Sequence, residues 1–152
     1  MIENQNTRQV YWWLGGLGVI PFAAAPAFTI SLAEGHQVYQ QLIDQALVMY
    51  GVMIASFLTG TQWMIHLMRH QQTGFRFNLL IVSNVLVVLL WASAAFGSEQ
   101  FVYAVTLLTL WVLLWLDWRN FQEQVISSSY FVMRVTITAM VSLCLNLSII
   151  LS

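Results

Sequence analysis

Apolar residues fall into five long runs separated by short polar breaks. The runs cover about Val10–Ala33, Leu42–Met68, Asn78–Phe96, Gln100–Leu116 and Tyr130–Leu151. Each is close to the roughly 20 residues that carry an α-helix across the hydrocarbon core of a bilayer. The pattern predicts an all-α integral membrane protein, a five-transmembrane-helix bundle forming a single domain over residues 1–152. The breaks are polar and brief. Residues 1–9 form a polar lead, Glu34 to Gln41 a loop, and residues 69–77 a loop carrying Arg69, His70 and Arg76. Gly97-Ser98-Glu99 makes a tight turn, and a polar stretch from Asp117 to Ser129 separates the last two runs.

The first run resembles a secretory leader, because Ser31-Leu32-Ala33 looks like a small-residue cleavage site. It is longer than the roughly 7–15 apolar residues of a signal core, so it is read as a membrane span. Pro21 and Pro26 each remove a hydrogen bond within it, which predicts a kink. Gly15, Gly16 and Gly18 give it a smooth face, and Tyr11, Trp12 and Trp13 sit where an interfacial aromatic belt belongs.

The second run carries the most information. From Tyr50 to Arg69 it reads YGVMIASFLTGTQWMIHLMR. Small residues at Gly51, Ala55, Ser56 and Gly60 invite close approach of other helices. Gln62, Trp63 and His66 follow, and polar groups at membrane depth need partners. This helix is expected to be the hub of the bundle.

Charge then sets the orientation. Five spans place the termini on opposite sides. Arg8, Arg69, Arg76, Arg119 and Arg134 fall at ends facing one side, and Glu34, His36, Asp44 and Glu99 at the other. Short loops rich in arginine stay in the cytoplasm, so the N-terminus is expected inside and the C-terminus on the outer side. The one-sided bias argues against dual topology, and an odd helix count against two equal inverted halves.

Composition agrees with a bilayer. The chain is 59% hydrophobic and 7% charged, against about 25% charged in a soluble domain. Net charge is −1, with no basic run, so nucleic acid is not an expected partner. Cys144 is the only cysteine, which leaves no intrachain disulfide and no CxxC site.

Candidate chemistry is sparse. His66 and His70 lie one turn apart, a spacing that can hold a metal, but the pattern lacks the glutamate of HExxH. A bis-histidine haem needs histidines from two helices at matching depth, and His36 is on the other side. No metal and no cofactor is therefore assigned. No acidic residue sits at mid-membrane, where proton-coupled pumps usually carry one. There is no phosphate loop, no paired-carboxylate site and no distinguishable nucleophile set. Asp117 ends helix four and Arg134 lies one turn into helix five, on the same side, so they can pair, each offsetting the other's desolvation. With Gln62, Trp63, His66 and Asn84 they form a candidate ligand-binding polar cluster, whose bland alternative is interhelical hydrogen bonding with no ligand.

Tyr50-Gly51, then Ser56-Phe57-Leu58 with Gly60 and Trp63, resembles the transmembrane protein 69 family, also described as domain of unknown function 3429. Leu14-Gly15 and Ile20-Pro21-Phe22 look like its opening motif, and Asp117, Tyr130 and Arg134 like its closing one. Thr59 and Met64 stand where that family tends to have Gly, and Ser129 where it often has Trp. The resemblance spans nearly the whole chain. It implies a multi-pass protein of an inner membrane, here that of a bacterial cell, and it adds no reaction.

Two functions from different classes follow. The first is an accessory or structural component of a larger membrane assembly, in contact with the lipid bilayer and other membrane protein subunits. It is motivated by minimal loops, small-residue faces and the lack of a recognisable catalytic set. The second is a binder or carrier of a small amphipathic molecule, a lipid or quinone, which requires a cavity between helices 1, 2 and 5. An enzyme ranks behind both.

Overall fold

A computed structural model describes residues 5–31, 37–69 and 79–151. Among them the chain forms five helices, α1 Gln5–Ser31, α2 Gln37–Arg69, α3 Leu79–Phe96, α4 Glu99–Gln122 and α5 Ser128–Leu151. All five are long and apolar enough to span a membrane. The loop residues Glu34, His36, His70 and Arg76 lie outside the described residues.

α1, α2, α4 and α5 begin before their hydrophobic runs do. α1 begins five residues and α2 five residues before the apolar stretch does, and α4 continues through Asp117, Arg119 and Asn120 to Gln122. Polar residues with fair helix propensity extend a helix beyond the point where hydropathy stops reporting it. α1 also runs unbroken through Pro21 and Pro26.

The turn between α3 and α4 is set locally. The Gly97 amide donates to the Ser93 carbonyl at 2.8 Å, and the Ser98 hydroxyl accepts from the Phe101 amide at 3.4 Å. Ser98 thereby caps α4, with Glu99 against the positive end of the helix dipole. At the other connection Gln124 adopts a left-handed φ of 57°, and the Ser127 hydroxyl accepts from the Tyr130 amide at 3.2 Å to start α5.

α2 packs against α1, α3 and α4; α4 packs against α2, α3 and α5; and α1 also lies along α5. The hub role expected of α2 alone is thus shared with α4, which buries Tyr103, Thr106, Thr109, Leu110, Leu113, Leu116, Asp117 and Asn120 on one broad face. On α2 the buried stripe is Leu47, Gly51, Ala55, Thr59 and Gln62. That spacing of four, four, four and three is one face of a 3.6-residue helix.

One apolar cluster joins α1, α2, α4 and α5 through Val19, Phe22, Leu47, Tyr103, Leu110 and Leu145. A second joins α3 to α4 through Leu79, Leu86, Leu113 and Leu116. Hydrogen bonds tie the layers. Tyr50 Oη donates to the Gly18 carbonyl at 3.0 Å, and Tyr103 Oη lies 3.3 Å from both the backbone carbonyl and Oδ1 of Asp44.

The small residues of α2 divide by face. Gly51 and Ala55 are buried, and Ser56 is half-buried. A Cβ on Gly51 would sit 3.5 Å from Thr106 Cγ2 and 3.7 Å from Phe22 Cε1. Gly60 departs from the expected close contact, because it is exposed and a Cβ there would meet nothing within 4 Å. It follows the buried Thr59 by one residue and is therefore turned about 100° off the packed stripe. The tightest glycine contact between helices is instead at Gly15, where an added Cβ would run into the Ile137 side chain of α5.

Candidate functional site

The polar residues that meet do so at the end of the bundle where α1 and α5 start and α2 and α4 finish. α2 brings Gln62, α4 brings Asp117 and Asn120, and α5 brings Arg134. Arg134 Nε donates to Asp117 Oδ2 at 2.8 Å, and Gln62 Nε2 donates to Asp117 Oδ1 at 3.1 Å. Each carboxylate oxygen therefore accepts one bond. Asn120 Nδ2 reaches Gln62 Oε1 at 3.5 Å, a long and weak contact. All four side chains are buried. Taking a charge pair out of water is expensive, and the attraction offsets that only when the remaining lone pairs are also satisfied, which is what Gln62 does for Asp117.

The other members of the expected cluster lie elsewhere. His66 is half-buried one turn beyond Gln62 on α2. Trp63 is 44% exposed, and Asn84 is exposed on α3, so neither joins the network. His70 lies outside the described residues. Among the described residues no three His, Cys, Asp or Glu side chains gather as metal ligands would.

Asn120 also belongs to the network, beyond the residues that hydropathy assigns to the fourth span. Its signal was present three residues after Asp117, on the same helical face, but hydropathy ended that helix at Leu116.

Beside the ion pair lies a cavity of about 200 Å³ between α1, α2, α4 and α5. Its walls are mainly apolar, from Leu14, Phe22, Ile54, Phe57 and Val141, and Arg134 and Thr138 of α5 supply polar groups. Tyr11 and Tyr130 line it too, their rings edge to face with centroids 6.0 Å apart. The hydroxyls of Tyr11 and Thr138 are buried and make no hydrogen bond among the described residues. Leu14 and Phe57, 65% and 71% exposed, place one side of the cavity on the outer surface of the bundle between α1 and α2.

This arrangement can hold a molecule and orient it, through a polar end at Arg134 and an apolar body along α1 and α2. Among the described residues that line the cavity, no Ser, Cys or Lys stands beside a His or carboxylate.

Residues 7–150 match the sequence profile of a family described as Protein of unknown function (DUF3429). The chain belongs to the DUF3429 family. The match runs from the first turn of α1 to the last turn of α5, so the ion pair and the cavity both lie within the DUF3429 region. No curated protein matches this DUF3429 chain, and no solved structure does either.

Proposed function

We propose that this protein binds a small amphipathic molecule taken from the bilayer. The observation that carries this reading is the cavity between α1, α2, α4 and α5, mainly apolar and bordered by the buried Arg134. Ligand sites commonly combine apolar walls with a few fixed polar groups. Native mass spectrometry of protein released from its own membranes tests it. A stoichiometric small molecule should be retained by the native chain and lost from Gly18→Leu, which puts bulk into the cavity near the Tyr50 hydroxyl. A ligand retained equally by both, or by neither, would overturn the reading.

A second reading, an accessory component of a larger membrane assembly, is favoured by Asn84. Its amide is exposed on α3 within a membrane-length helix. A polar side chain facing hydrocarbon is costly until it finds a partner. On this reading a co-purifying subunit is released by Asn84→Leu, and an unchanged complex argues against it.

The site of action we infer is a bacterial inner membrane, with the N-terminus cytoplasmic and the C-terminus outside. α1 starts, α2 and α4 finish and α5 starts at one end of the bundle, so Arg8, Arg69, Arg119 and Arg134 belong to that end, whereas Asp44 and Glu99 belong to the opposite one. The motif likeness to the transmembrane protein 69 family supports the same location.

A further inference from the structure

We propose that the cavity selects an uncharged head that accepts hydrogen bonds, a quinone ring or the ester of a neutral glycerolipid, over a carboxylate or phosphate. This rests on the reading of the cavity as a ligand site.

Charge is the first argument. Among the lining residues Arg134 is the charged one, and its Nε is already bonded to Asp117 Oδ2 at 2.8 Å. The pair is neutral overall. An anion entering the cavity would give up its hydration and meet an arginine whose field is largely cancelled by the carboxylate behind it. In a medium of low dielectric that desolvation is not recovered. An uncharged carbonyl has no such cost and can still accept from the guanidinium.

Unsatisfied donors are the second. Thr109 and Thr136 place their hydroxyls on the carbonyl one turn back, at 2.8 and 2.9 Å. Thr138, only 2% exposed, does not, and its hydroxyl has no partner among the described residues. The Tyr11 hydroxyl shares that condition and the same cavity. Buried polar groups left unpaired in a native protein call for an explanation, and an acceptor in the cavity supplies one.

Size is the third. A volume of 200 Å³ lies below the roughly 300–1,000 Å³ of a drug-sized site. It suits one ring or one ester group. The tail must leave the cavity, and the exposed Leu14 and Phe57 mark where it enters the bilayer.

The full-length protein in mild detergent is titrated with decyl-benzoquinone, monoolein and decanoate, with binding read by native mass spectrometry. One or both neutral probes should bind and decanoate should not, and which neutral probe binds separates a quinone from a glyceride source. Thr138→Val and Tyr11→Phe, nearly isosteric changes that delete a hydroxyl, should weaken the neutral probe about tenfold at unchanged melting temperature. Decanoate binding as tightly as the neutral probes, or neutral binding indifferent to both variants, would overturn the choice of head while leaving a ligand site in place. If no probe binds and the membrane-derived protein also carries no ligand lost from Gly18→Leu, the site itself falls.

Discussion

Arg134 of α5 and Asp117 of α4 form a buried ion pair, Nε to Oδ2 at 2.8 Å, with side chains 6% and 2% exposed. Removing one partner strands the other's charge in the bundle, which in soluble proteins costs about 3–5 kcal/mol. Arg134→Ala should therefore lower the melting temperature in detergent strongly. Asp117→Asn added to Arg134→Ala should recover part of the loss, because the neutral amide removes the stranded charge. The non-additivity should fall at roughly 0.5–3 kcal/mol, the range for residues in contact. Strictly additive effects would mean that the pair contributes nothing as a pair.

That pair is legible in the chain because one charge ends a span and the opposite charge lies one turn into the next, and topology leaves them at the same depth. The five helices were legible for the same reason that bilayers select them, since long apolar runs leave few alternatives. Helix rotation was not. A span that is apolar all round carries little information about which face packs, so depth alone groups Asn84 and Trp63 with Gln62 although both are exposed. The sequence names the cavity only as something a binder would require between helices 1, 2 and 5; its shape is not legible. It depends on Gly15 letting α1 approach Ile137 of α5 while Gly18 and Phe57 leave space beside it, a balance of shape that no spacing rule reports.

Rotation has a measurable consequence on α2. Leucine at Gly51 would drive bulk into Thr106 and Phe22, and overpacking typically costs about 1–3 kcal/mol. Leucine at Gly60 meets open space on the exposed face. Gly51→Leu should lower the melting temperature and Gly60→Leu should leave it nearly unchanged. Thr109→Leu should behave like Gly51→Leu, since Thr109 is only 1% exposed. The reverse order would mean that the packed stripe of α2 is wrongly placed.

Tyr103 is the largest fully buried side chain among the described residues, and its hydroxyl reaches Asp44 on α2. Tyr103→Phe keeps the ring and deletes the bond. A loss of about 0.5–1.5 kcal/mol is expected, visible as a modest drop in thermal stability. Tyr103→Ala should cost much more, because the ring anchors the α1, α2, α4 and α5 cluster. If Tyr103→Phe is as damaging as Tyr103→Ala, the hydroxyl contact and not the ring holds α2 to α4.

Orientation can be read from two new cysteines on a Cys144→Ala background, Cys144 being the single native thiol. Ser98 and Gln124 are poor choices, the first because it caps α4 and the second because its φ of 57° is structural. Gln100 and Gln122 are exposed near opposite ends of α4, about 33 Å apart at 1.5 Å per residue. Arginine in short loops holds its end in the cytoplasm, and Arg119 lies at the Gln122 end. Gln100→Cys should therefore react with a membrane-impermeant maleimide on intact cells stripped of their outer membrane. Gln122→Cys should react only after permeabilisation. Labelling of Gln122→Cys alone would invert the topology and move the ion pair and cavity to the outer half of the bilayer, so that any ligand would enter from the outer leaflet.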